Sequence, residues 1–152
     1  MNAVARLLSR AIMVIASLLV AIMVVSAALG VLFRYGFGRA LPWAEELGVY
    51  LFIWMIFLGS AVEVLNGEHP AITFVVDRMP AWAAQASNVI AALAVVIWGL
   101  CLVYYGIDAL SLESEETWAS VPQFSMWWPF AAIPVGGALI VFFAVARLVR
   151  PR

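Results

Sequence analysis

The 152-residue chain is 66% hydrophobic and 11% charged, with a mean hydropathy of +1.07. Water-soluble domains are about 45–50% apolar and about 25% charged, so this composition leaves too little polar surface to coat a globule and assigns the chain to a membrane. Eight basic residues, all arginine, against nine carboxylates give a net charge of -1 with no basic tract for nucleic acid, and the lone Cys101 excludes an internal disulfide or a cysteine-based metal cluster.

No ionisable residue interrupts Ala11–Phe33, which as a helix reaches about 34 Å and spans a hydrocarbon core with some tilt. Arg6 and Arg10 ahead of it, and Ser26-Ala27-Ala28 within it, resemble a secretory signal. The run exceeds the about 7–15 apolar residues of such a signal, so an uncleaved first span is expected. The connection from Phe33 to Glu46 mixes glycine, proline, aromatics and charge, as a headgroup-level segment does. Pro42 suits the first turn of a second helix, and Glu45 and Glu46 complement its positive dipole end. That span is predicted over 43–65, with Glu46 and Glu63 about 25 Å apart at its two ends.

From Asn66 to Pro80 a polar opening, a short apolar stretch and a proline predict an interfacial or re-entrant segment over 67–80, because an isolated strand cannot satisfy its backbone in lipid. A third span is predicted over 82–107. Asp108, Glu113, Glu115 and Glu116 then form an acidic loop that leads to the interfacial pair Trp127-Trp128. A fourth span is predicted over 128–146, bent at Pro134 and closed by Arg147, Arg150 and Arg152. Arginines concentrate at both termini, so the positive-inside rule puts both in the cytoplasm and leaves Arg34 and Arg39 outside. The fold expected is a single all-α membrane domain over 1–152, with four transmembrane helices and a short interfacial segment.

Chemistry is scarce. One histidine, His69, cannot supply bis-histidine haem ligation, and no nucleophile or metal set accompanies it; neither enzyme nor cofactor site is expected. Glu63 is the one ionisable residue near a span interior; it serves as a cation or partner contact or, as favoured here, snorkels to the interface. Small residues at Ser17, Ala21, Gly48, Gly59, Ser60, Gly99 and Gly136-Gly137 allow close helix approach.

Several stretches carry a resemblance: Arg34-Tyr35-Gly36-Phe37-Gly38, Leu41-Pro42-Trp43-Ala44-Glu45-Glu46 leading into Tyr50-Leu51-Phe52-Ile53-Trp54, Phe57-Leu58-Gly59-Ser60-Ala61, Gly67-Glu68-His69, Asp77-Arg78-Met79-Pro80 and Ile133-Pro134-Val135-Gly136. Through most of its length the chain resembles the small membrane subunit, DctQ type, of tripartite ATP-independent periplasmic (TRAP) transporters. The resemblance implies a scaffold in the bacterial inner membrane. Its partners would be a large permease subunit (DctM type), which couples uptake of an organic acid or related solute to sodium, and a periplasmic solute-binding protein (DctP type) that delivers the solute.

On that reading Arg34, Arg39, Glu45 and Glu46 set the outer loop and pair with one another, with lipid headgroups or with the binding protein. Trp43 and Tyr50, two helical turns apart, share a face for the large subunit or for lipid, with Trp54 further along the helix as a packing or lipid-facing residue. Glu68, His69 and Asp77 fold the cytoplasmic turn, His69 as a hydrogen-bonding residue. Two alternatives rank lower. An autonomous exporter of the small multidrug type relies on a glutamate in its first span, which this chain lacks; a redox anchor would bind haem or quinone, and the single histidine disfavours its haem version while the sequence leaves the quinone version open.

Overall fold

Inside a bilayer no water bonds to free backbone N–H and C=O groups, so an apolar chain satisfies them within helices. The computed structural model describes residues 3–66 and 80–148. It contains α1 (Ala3–Gly36), α2 (Pro42–Asn66), α3 (Ala81–Glu113), α4 (Trp127–Phe130) and α5 (Ala132–Leu148). Among the described residues, four stretches are long and apolar enough to cross a membrane: Ala5–Gly36, Pro42–Asn66, Gln85–Glu113 and Trp127–Arg147. Among the described residues there is no strand, only an isolated antiparallel bridge between Thr117 and Ser125. The expected all-α, four-span class is therefore the observed one. Of the expected interfacial segment, residues 67–79, with Glu68, His69 and Asp77, lie outside the described residues.

Helix ends follow backbone chemistry more closely than charge. α1 starts ahead of Arg6 and Arg10 and stops at Gly36, where Gly38, at φ 65°, lets the Phe37 and Arg39 N–H groups turn back onto the Phe33 carbonyl at 3.2 and 3.1 Å. Pro42 opens α2. α3 runs past Asp108 to Glu113, because a charged side chain ends the lipid-buried part of a helix without ending its backbone ladder. The bend expected at Pro134 appears one turn earlier, as an interruption at Ala131 between α4 and α5. Proline has no N–H for the carbonyl four residues before it, here Phe130, and its ring crowds that carbonyl.

The helices form a row in the order α1, α2, α5, α3, each packing on its neighbour. α5 follows the direction of α2: Trp54, midway along α2, meets Trp128, and Phe57 abuts Gly136 further along. α3 runs antiparallel to α5, with Gly106 against Pro134 and Gly99 against Val141. Close approach is concentrated on α3 and α5. A Cβ on Gly137 would lie 2.8 Å from the Gly99 carbonyl oxygen, and one on Gly136 would lie 2.5 Å from the Phe57 Cβ. Gly59 faces open space, and Gly48 has only Met23 Cγ at 4.0 Å, so those two glycines, read in the sequence as approach points, do not serve as such here.

The main apolar cluster joins Ala5 and Ile12 of α1, Leu58, Ala61, Val62 and Leu65 of α2, and Ile140 and Phe143 of α5. It lies toward the end that carries the chain's first helical residues. The opposite end, carrying the 37–41 connection and the loop between α3 and α4, is the hairpin end. The row leaves its edge helices uncovered: Leu18, Val25 and Leu32 of α1, and Ile90, Ile97, Trp98 and Tyr104 of α3, are exposed.

Candidate functional site

At the hairpin end the loop after α3 folds back on itself. The Trp118 N–H donates to the Phe124 carbonyl at 2.9 Å, the Met126 N–H to the Glu116 carbonyl at 2.8 Å, and the Phe124 N–H to the Val121 carbonyl at 3.0 Å. These bonds pair part of the loop's backbone internally, in place of water. The turn sets Trp118 beneath it, 7% exposed, with ring centroids 4.7 Å from Tyr50, 5.3 Å from Phe124 and 6.2 Å from Trp128. The Trp118 Nε1–H is buried and has no acceptor among the described residues.

Glu46 ties this loop to α2. Its carboxylate accepts hydrogen bonds from the Tyr50 hydroxyl (2.8 Å), the Ala119 N–H (2.9 Å), the Ser120 N–H (2.9 Å) and the Ser120 hydroxyl. A carboxylate is acceptor-only and offers about four lone-pair sites, so the donor set saturates it. Tyr50 Oη also lies 3.2 Å from Met126 Sδ, and Trp54 Nε1 donates to the Trp128 carbonyl at 3.1 Å. Glu46, Tyr50 and Trp54, spaced one helical turn apart, therefore make one stripe of α2 that clasps the loop and the start of α4.

The remaining sequence candidates separate. Arg34 and Glu45 form an ion pair across α1 and α2, the two side chains 51% and 64% exposed. Arg39 is exposed in the connection, and Glu63 is exposed near the far end of α2. Trp43 is partly exposed, whereas Tyr50 is 9% exposed. The pair does not offer a common outward face: Tyr50 is consumed inside the chain by Glu46 and Trp118, and only Trp43 remains open. Glu46 likewise binds the chain's own loop, through partners 73 and 74 residues away in sequence. The contribution of Ala119, Ser120 and Trp118 escaped sequence reasoning; the available signal was the aromatic density of the acidic loop, with Trp118, Phe124, Trp127 and Trp128 close together. Among the described residues, no three His, Cys, Asp or Glu side chains converge in a way that could hold a metal ion.

Comparison with known proteins adds identity to this geometry. The model of the DctQ component of tripartite ATP-independent periplasmic transporters matches residues 22–152. A Haemophilus influenzae protein named as a TRAP transporter small permease is 28% identical, over 98% of this chain and 92% of its own length. The C4-dicarboxylate small permease DctQ of Rhodobacter capsulatus is 27% identical over 69% of this chain and 47% of its length. The sialic acid permease SiaT of a second Haemophilus influenzae strain is 30% identical over 112 residues, 74% of this chain but 18% of that much longer protein. The chain thus spans nearly all of the first relative and half or less of the other two.

Proposed function

The chain belongs to the DctQ family of TRAP transporters, the small permease component, and from that premise we propose that it is the fixed membrane scaffold beside a larger permease subunit. The observation that carries this reading is the SiaT relationship: a stretch similar to most of this chain makes up 18% of a longer permease. A small-permease unit found within a larger permease chain supports the view that the separate small chain works against a large one.

The physical character of the molecule supports the same division of labour. An ion carrier places charged or polar groups in mid-span, where an unpaired charge is costly. Here the described charged residues sit at or beyond the span ends, and the hairpin end is locked by the Glu46 clasp. The exposed faces of the edge helices α1 and α3 suit lipid and a large membrane partner. Sodium coupling and the moving transport elements then belong to the large subunit, and a periplasmic binding protein delivers the solute. The relatives named for sialic acid and C4-dicarboxylate point to an organic acid as cargo. The arginine-rich termini face the cytoplasm of a bacterial inner membrane, and the hairpin end faces the periplasm.

Reconstitution tests this. Proteoliposomes holding the large subunit and this chain, with the binding protein outside and an inward sodium gradient, take up the solute; omitting this chain abolishes uptake. Full uptake by the large subunit alone, or solute transport by this chain alone, overturns the reading.

A further inference from the structure

The row of helices leaves two edges open, and they differ in kind. Between Leu7 and Leu32 every exposed large side chain of α1 is aliphatic or methionine, a surface suited to acyl chains. α3 turns Gly99 and Gly106 toward α5. On its exposed side it carries Ile90, Ile97 and Tyr104 at seven-residue spacing, with Trp98 and Tyr105 beside them. Trp98, Tyr104 and Tyr105 are 63, 72 and 66% exposed, and the two tyrosine rings stand edge to face with centroids 5.2 Å apart.

The helix crossing fixes the height of Trp98. Gly99, the central residue of the Gln85–Glu113 span, meets Gly137, the central residue of the Trp127–Arg147 span, so Trp98 lies at the bilayer midplane. Tryptophan favours the headgroup level, where one end of the ring is wet. That level is about 15 Å away on either side, half of a hydrocarbon core of about 30 Å, beyond the reach of an indole. The indole nitrogen is donor-only, lipid tails hold no acceptor, and an unpaired polar group among them is costly. A protein surface supplies both an acceptor and a packing contact. The area suffices as well: at about 150–250 Å² per aromatic side chain, three rings two-thirds exposed offer about 300–500 Å², and Ile90 and Ile97 raise the stripe toward roughly 800 Å², the share of one partner in a stable interface. Resting on the scaffold reading above, we infer that this stripe of α3, and not α1, is the face covered by the larger permease subunit, with Trp98 as its anchor and the indole N–H donating to an acceptor on that subunit.

Photocrosslinking of the full chain in native membranes, together with the large permease, tests the assignment. Ile97→p-benzoylphenylalanine and Val25→p-benzoylphenylalanine place the same probe on the exposed sides of α3 and α1. Irradiation before solubilisation should join the α3 probe to the permease, identified by mass spectrometry, and the α1 probe to lipid. Trp98 is mostly exposed, so Trp98→Ala keeps the chain's own packing; it should lower the permease retained through detergent washing about tenfold, the scale of an anchoring tryptophan. Trp98→Phe, which keeps a ring and loses the N–H, should fall between, and Leu18→Ala on α1 should retain the permease fully. A permease joined to the α1 probe, an α3 probe joined to lipid or to a second copy of this chain, or full retention by Trp98→Ala or Trp98→Phe overturns the assignment and leaves the scaffold reading standing. Recovery of the chain with no permease overturns both.

Discussion

Removing the Glu46 carboxylate is the sharpest perturbation the fold offers. In Glu46→Ala the Ala119 and Ser120 N–H groups, each 2.9 Å from a Glu46 oxygen, lose their acceptor, as do the Tyr50 and Ser120 hydroxyls. Hydrogen bonds to a charged group contribute about 1.5–3 kcal/mol each. Ala119 is exposed and Ser120 half-buried, so water replaces part of the loss, and members of one network do not add. The loop's attachment should weaken by about 2–4 kcal/mol. The helices keep their own ladders, so the change is local opening and not global unfolding. Hydrogen exchange in nanodiscs reads it directly: Ala119 and Ser120 should lose about 30- to 1,000-fold of their protection, while α5 amides near Phe143 stay unchanged. Glu46→Gln, with one oxygen in place of two, should fall between. Unchanged exchange at Ala119 and Ser120 in Glu46→Ala refutes the clasp.

Other substitutions probe the rest. Gly137→Ala places a methyl 2.8 Å from the Gly99 carbonyl oxygen and should lower stability by about 1–3 kcal/mol, whereas Gly59→Ala meets open space and should be neutral or stabilising by up to about 1 kcal/mol; thermal melts in detergent compare the two. Arg34→Ala breaks an ion pair whose side chains are both more than half exposed, so its stability cost should stay at or below about 1 kcal/mol and shrink as salt rises. Trp54→Phe removes the bond to the Trp128 carbonyl and should cost about 1 kcal/mol for that bond, plus lost packing; tryptophan near-ultraviolet dichroism should change with it. The double variant Glu45→Ala with Glu46→Ala should lower solute uptake through disturbed assembly or docking, and normal complex yield with normal uptake would count against that.

The spans were legible because a bilayer leaves an apolar run so few choices. The charge-free stretches from Arg10 to Arg34, from Glu46 to Glu63, from Arg78 to Asp108 and from Glu116 to Arg147 mark where the crossing segments lie and where the backbone must be helical in lipid. Helix ends were less legible: Asp108 ends the apolar run, yet the α3 ladder continues to Glu113, and the consequence of Pro134 falls at Ala131 because the carbonyl it deprives is one turn upstream. The seven-residue spacing of Trp43 and Tyr50 describes one face of a helix but not what lies opposite it. Tyr50 meets a loop that approaches from far along the chain, and Trp43 does not. The Glu46–Ser120 pairing has no local signature for the same reason. Glycine content proposes close contacts without choosing among them; the row order of the helices made Gly99, Gly136 and Gly137 contact points and left Gly48 and Gly59 open.

The scaffold account stands most directly on association. Affinity purification of the chain from native membranes in mild detergent, repeated in nanodiscs and followed by mass spectrometry, should return a larger permease in stoichiometric amount. Recovery of this chain alone under both conditions would contradict it.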